Sequence, residues 1–279
     1  MLEDKDRTEK SNNNGVLINR KDLTEISELA ESFLPKSVIN CVNRSAAVAP
    51  PSLLLTAGRR LREYQLVALD WLQTMYRENL PAVLADEQGL GRRVVTAAFI
   101  SNLVCEVGAP GPHLILSPAS SLHRWQQVLT AWCPGLRVAV HTGRPRDSRL
   151  LGAELLEEGV APHLVLTSYF AYLRHHGWFT RRRWGLAVLA EVQNVAAAFD
   201  QIVALCALRT DQKMLILSGP HKENPIDLWN IVYLLFPITS GLVEGTGEYT
   251  DTVHKLQKLS KKFAAVSLLI YMLKLSYLV

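Results

Sequence analysis

The chain has 279 residues, 48% hydrophobic and 20% charged, the profile of a soluble globular protein with a sizeable core in one large domain or two small ones. Its formal net charge of +4 suits a phosphate-bearing partner without deciding for one. Cys41, Cys105, Cys133 and Cys206 lie far apart with no C-x-x-C pair, so neither a zinc knuckle nor a redox dithiol is indicated, and they read as reduced, buried thiols of an intracellular protein.

Residues 1–60 read as a tether. Met1–Asn14 is polar and lacks the apolar stretch of a signal peptide, Arg20–Phe33 has the pattern of one amphipathic helix, and Ala46–Ala57 is a linker rich in Ala and Pro. From Leu61 to residue 240 the pattern changes to short apolar runs alternating with helical periodicity. Strands are expected at Ala82–Ala85, Leu114–Ser117, Val138–His141, Leu164–Thr167, Leu186–Ala190 and Met214–Leu217. Helices are expected at Leu61–Tyr76, Arg92–Cys105, Ser120–Ala131, Asn194–Leu208 and Ile226–Leu235. Continuous apolar strands alternating with helices imply an α/β fold, a parallel sheet covered on both faces, with any ligand at the carboxyl ends of the strands. Residues 241–279 read as a helical extension ending in the apolar tail Phe263–Val279. Lys274 interrupts that tail and it falls short of the roughly 20 residues that span a bilayer. A core-type helix, or a terminus that normally meets more protein, is expected there rather than a membrane anchor.

Ala82-Val-Leu-Ala85 runs into Asp86-Glu-Gln-Gly-Leu-Gly91-Arg92-Arg93 and then a helix. A strand, a glycine turn and a helix N-terminus converge backbone N–H groups and a helix dipole on one point, which favours an anion. The pattern is weak alone, because the usual phosphate loop has Gly at position 86 and Lys-Ser/Thr at positions 92 and 93.

The surrounding residues supply context. Leu61-Arg-Glu-Tyr-Gln65-Leu-Val-Ala-Leu-Asp-Trp71, Leu84-Ala-Asp-Glu-Gln-Gly-Leu-Gly91 and Gly111-Pro-His-Leu-Ile-Leu-Ser-Pro118 follow one another, then Trp125, Trp132-Cys-Pro134, Thr167-Ser-Tyr169 and Leu228-Trp229. In this order they resemble the first RecA-like lobe of the SWI/SNF-type chromatin-remodelling ATPases, from about Arg60 to Lys262. Ala190-Glu-Val-Gln-Asn194 and Val243-Glu-Gly-Thr-Gly-Glu-Tyr249 look most like the SRCAP/Domino branch, whose members work in nucleosome-remodelling and histone-exchange complexes. The resemblance implies a RecA-like parallel sheet, DNA-dependent ATP hydrolysis as the family activity, and DNA, nucleosomes and complex subunits as partners. Nuclear localisation follows from it alone. By matching position, Gln65 is the glutamine that reads adenine, with Tyr64 beside it. Gly89 and Gly91 let the backbone wrap the phosphates, and Glu191 is the acidic residue that orients or activates the attacking water.

Three positions depart from that pattern. Arg92 replaces the phosphate-binding lysine, a planar fork where the family has a compact ammonium. Arg93 replaces the Ser or Thr whose hydroxyl holds Mg²⁺, and its charge repels the cation. Ala190 replaces the metal-holding aspartate, and Leu217-Ser-Gly-Pro220 differs from the family's Thr-Gly-Thr-Pro turn. After Lys262 the sequence leaves the family pattern and ends, so the arginine contacts of a second lobe are not found; such a contact contributes on the order of 10³–10⁵ in rate. The expectation is a pseudo-ATPase with its Mg²⁺ site lost and ATP held weakly if at all, Arg92 and Arg93 serving as counter-charges.

Other residues carry less. Arg181, Arg182 and Arg183, with Arg174, His175 and His176 nearby, form the densest basic patch, either a DNA-phosphate contact or a solvated turn. Thr167, Ser168 and Tyr169 end a strand where the family approaches DNA and are the better DNA-contact candidates. Trp125 and Trp132 read as core. His175 and His176 lack partners at metal spacing, and nothing places a base beside Ser120 or Ser121 to make either a nucleophile. Three readings stay open: a catalytically impaired interaction module on chromatin or DNA, an ATPase lobe that works when a second lobe is supplied, and a truncated relic whose apolar tail has lost its partner.

Overall fold

In the computed structural model, residues 58–86, 89–109, 111–147, 149, 161–192, 199–217 and 233–235 are described. Helix α1 (Glu63–Arg77) forms on an apolar stripe of Val67, Ala68, Leu69, Trp71, Leu72 and Met75, all buried. Its start is fixed by Gln65, whose side-chain oxygen accepts the Arg62 backbone N–H at 3.0 Å. Strand β1 (Ala82–Leu84), helix α2 (Arg92–Cys105), strand β2 (His113–Ser117) and a 3₁₀ turn (Ala119–Ser121) follow. Next come α3 (Leu122–Trp132), β3 (Val138–His141), β4 (Leu164–Ser168), α4 (Tyr169–Arg174), α5 (His176–Thr180), β5 (Arg183–Ala190), α6 (Phe199–Cys206) and β6 (Arg209–Ile216).

The strands form one six-stranded sheet in the order β1-β6-β5-β2-β4-β3, with every pairing parallel. Alternation along each strand divides the core in two. Leu186, Val188 and Ala190 of β5 join α1, α2 and α3 on one face. Ala187 and Leu189 join Tyr172, Phe179, Ile202 and Leu205 of α4, α5 and α6 on the other. Both faces being apolar, the strands read as unbroken hydrophobic runs rather than alternating ones. Each parallel pairing aligns carboxyl ends, Ser117 with Ser168 and Ala190 with Ile216, so the loops leaving β1, β2, β4, β5 and β6 share one edge.

Strand β3 falls where the periodicity places it, at Val138–His141. The long strands start earlier than expected, β5 at Arg183 rather than Leu186 and β6 at Arg209 rather than Met214. Both open on an arginine at the amino edge, Arg183 and Arg209, and the buried Trp184 that follows Arg183 is cut off from the apolar run by Gly185. Helices α4 and α5, not anticipated from the sequence, fill the crossover from β4 to β5. The helix expected at Asn194–Leu208 is seen as Phe199–Cys206, and only residues 233–235 of the one expected at Ile226–Leu235 are described. The tether, the Arg20–Phe33 helix and the apolar Phe263–Val279 tail lie outside the described residues. Among the described residues no helix is long and apolar enough to cross a membrane.

Candidate functional site

The loop after β1 owes its shape to two glycines. Gly89 and Gly91 have φ of 103° and 81°, in the left-handed region that side chains avoid. Gly91 caps α2, its carbonyl accepting the N–H of Val94 at 2.8 Å and of Val95 at 3.1 Å. A Cβ built on Gly91 would lie 2.4 Å from Gln65 Nε2. That amide is not free to withdraw, because Nε2 donates to the Leu90 carbonyl at 3.1 Å while Oε1 holds the start of α1. Gln65 therefore ties α1 to the loop, and one amide hydrogen and one lone pair remain to it for any further partner. Gly91→Ala combines positive-φ strain with this clash. It is expected to lower the unfolding free energy by about 2–3 kcal/mol in urea denaturation, whereas a loss within about 0.5 kcal/mol would mean that the loop relaxes freely.

Arg93, in the first turn of α2, points across the carboxyl edge to β5. Its Nη2 donates to Glu191 Oε1 at 2.9 Å. The same carboxylate oxygen accepts the Ser121 hydroxyl from the 3₁₀ turn after β2 at 2.8 Å. The guanidinium also lies 5.9 Å from the ring centroid of Trp125 on α3. Glu191 sits just past the end of β5 with φ of 55°, its N–H donating to the Ile216 carbonyl at 2.7 Å, so a strained turn directs the carboxylate at Arg93. Side chains remote in sequence thus converge where the strand ends meet. With the two partners 30% and 23% exposed, the pair contributes stability on the order of 1 kcal/mol.

As a donor set for a hard dication this cluster is poor. Magnesium wants oxygen ligands in octahedral geometry. Here the Glu191 oxygen already receives a cation, Ala190 is buried and offers no side-chain oxygen, and among the described residues no three His, Cys, Asp or Glu stand close enough to hold a metal. A polyphosphate fits better. The first N–H groups of α2 lack intrahelical acceptors, and the loop places Arg92 and Arg93 beside them.

Asp86, at the mouth of the loop, is 4% exposed. Burial pushes its carboxyl up to about 7, with the Arg92 charge pulling it partly back. Unfolded, the group titrates near 3.8, so the folded form holds the proton more tightly between those values. Its contribution to stability is present below about pH 4 and is lost as pH rises through about 7. Measured against Asp86→Asn, the parent should therefore lose about 2–3 kcal/mol between about pH 5 and about pH 8 in urea unfolding; a flat difference would contradict this.

The DNA-contact candidates fall in two places. Thr167 is buried and its hydroxyl donates to the His141 carbonyl at 2.9 Å. Ser168 caps α4, its oxygen accepting the Ala171 N–H at 3.1 Å. Tyr169 is buried and donates to the Ala190 carbonyl at 2.9 Å. All three side chains are buried and hydrogen-bonded within the fold. What that edge exposes is Phe170, at 70%. Arg181, Arg182 and Arg183 lie at the opposite edge: Arg183 opens the eight-residue β5 that Ala190 closes, about 23 Å away. There Arg182 stacks 4.4 Å from the Trp178 ring, Arg183 pairs with Asp211, and Arg181 is exposed. Gly177, Trp178, Arg181 and Arg182 line an open cavity of about 410 Å³. The structure does not bring the two candidate sets onto one surface. Trp125 is buried and Trp132 half-buried, stacked by Arg59 at 5.3 Å. His175 donates to the Gly143 carbonyl and His176 to the Ala204 carbonyl, as parts of the fold.

A parallel six-stranded sheet, helices on both faces and a glycine loop feeding a helix at the carboxyl edge define a RecA-like α/β lobe. Two solved Sulfolobus solfataricus structures share the fold. The SWI2/SNF2 ATPase core in complex with dsDNA has a TM-score of 0.63 and 23% identity, covering 79% of this chain and 45% of that one. The SWI2/SNF2 ATPase core domain has a TM-score of 0.62 and 24% identity, covering 81% and 45%. The SNF2-related domain matches residues 64–245, and the chain belongs to that family. It is 35% identical over 245 residues to the human p400 protein, covering 85% of this chain and 8% of p400. It is 31% identical over 258 residues to Drosophila melanogaster Helicase domino, covering 86% and 8%. Against Saccharomyces cerevisiae Helicase SWR1 the identity is 32% over 222 residues, covering 79% and 14%. The chain thus spans a small fraction of the curated relatives it matches.

Proposed function

We propose that this chain is a catalytically impaired ATPase lobe that acts as an interaction module on DNA or chromatin, within a nuclear remodelling or histone-exchange assembly of the kind its relatives' branch forms. One observation carries the reading: a side-chain cation, Arg93, holds Glu191 where the family places a metal, and Ala190 stands in the neighbouring position. A carboxylate paired to a guanidinium and a serine is a weak base and a poor orienter of water. ATP is bound weakly and without magnesium, through the amides after Gly91 and the charges of Arg92 and Arg93. Magnesium, when bound, would supply charge neutralisation to phosphoryl transfer; the reading that this chain works without it is supported by the Arg93 cation on Glu191 and by Ala190, which carries no side-chain oxygen. The DNA-facing surface is the exposed Arg181 with Arg182, whose stacking on Trp178 positions its guanidinium for a backbone phosphate. Phosphate release from ATP, measured with and without duplex DNA and with a relative's second lobe added in trans, tests this. The expected rate stays at background in every case. Hydrolysis stimulated by DNA and the added lobe would replace this reading with that of a working lobe awaiting its partner.

A further inference from the structure

Glu191 and a bound polyphosphate call on the same cation. Arg93 leaves the first turn of α2, beside N–H groups that have no helical acceptor, so a phosphate at that terminus would lie next to its guanidinium. That guanidinium is already committed, with Trp125 5.9 Å from it and Glu191 Oε1 at 2.9 Å. Ser121 at 2.8 Å fixes the oxygen, and the positive φ of Glu191 fixes the turn that presents it. In a metal-using site carboxylate and phosphate lie on one side, joined through a dication. Here the cation is a side chain and the two anions are rivals for it. We infer that the Arg93–Glu191 pair is a built-in gate on a magnesium-free site for a nucleoside di- or triphosphate, opened when the anion takes Arg93 from the carboxylate. The inference rests on the impaired-lobe reading and specifies the ligand class and regulation of the same site.

The gate is exchanged without any covalent step, so equilibrium binding reads it out. ADP is titrated by calorimetry into the full chain in EDTA, which removes both hydrolysis and metal. Glu191→Gln keeps the size of the side chain but removes the rival charge, and is expected to bind ADP about tenfold tighter than the parent. Ser121→Ala loosens the carboxylate without changing any charge and should gain about twofold to threefold. In an Arg93→Gln background Glu191→Gln should gain nothing, since the contested cation is gone. No gain in either Glu191→Gln or Ser121→Ala, a gain that survives Arg93→Gln, or no ADP binding in any of these proteins overturns the gate. Ser121→Ala answers the question alone should Glu191→Gln fail to fold. Magnesium tightening the binding of the parent would instead overturn the impaired-lobe reading, so the two failures are distinct.

Discussion

The double substitution Arg93→Thr and Ala190→Asp is expected to make ATP binding magnesium-dependent, tightening it on the order of tenfold to a hundredfold when the metal is added. The threonine hydroxyl would stand in the first turn of α2, and the aspartate at the end of β5 beside Glu191. Both positions are held by the sheet rather than by free loops, so the two oxygens would arrive with their geometry largely set. The change also deletes the cation that holds Glu191 at 2.9 Å, freeing the carboxylate to face the nucleotide. Each single change should recover little. Arg93→Thr alone leaves Ala190 without an oxygen, and Ala190→Asp alone leaves the Arg93 cation on Glu191. Calorimetric titrations of the double variant with and without Mg²⁺ read the effect. Indifference to the metal would mean that these two oxygens do not suffice to make a metal site here.

Trp125→Ala should cost about 3–5 kcal/mol, among the largest effects of any single change in this chain. The indole is fully buried among α1, α2, α3 and the sheet, and its ring also faces the Arg93 guanidinium. Trp125→Phe should cost no more than about 1 kcal/mol. The indole Nε1 is buried with no hydrogen-bond partner among the described residues, so phenylalanine removes an unsatisfied donor while keeping most of the apolar contact. Chemical denaturation of both variants gives the comparison. Equal losses would show that the ring's nitrogen is satisfied and that its polar contact, not its bulk, matters.

What can be read in the sequence follows from what local patterns encode. The central strands announce themselves because both faces of the sheet are covered there, so Leu114–Ser117 and Leu164–Thr167 are runs of buried residues; the half-buried edge strand Val138–His141 carries the same short apolar pattern. Helices α4 and α5 do not, for a physical reason. At six and five residues they are too short to display a helical period, and Gly177 lies inside the second. The openings of β5 and β6 are silent because they show no continuous apolar run: Arg183 and Arg209 pair at the amino edge, and the buried Trp184 and Gln212 are separated from the hydrophobic stretches by Gly185 and Lys213.

The loop glycines and the departures at Arg92, Arg93 and Ala190 are legible because each is a position in a motif. The contact that organises the site is not. Arg93 and Glu191 are 98 residues apart in the chain, and Ser121 is 70 from Glu191. Ser121 offers no local signal either: nothing in the sequence marks it as a nucleophile, yet it anchors the carboxylate. The side chains of Thr167, Ser168 and Tyr169 turn into the fold, which the sequence does not reveal because a residue at a strand's end can point into the neighbouring elements as readily as out of them. Phe170, the residue that does project there, carries no pattern to single it out.

The most direct test of the central claim is ATP titrated calorimetrically into the unsubstituted chain, once with Mg²⁺ and once with EDTA. An ion pair in place of the metal predicts weak binding of the same strength in both. Binding tightened about tenfold or more by Mg²⁺ would contradict the proposal, because the metal would then displace Arg93 from the Glu191 carboxylate.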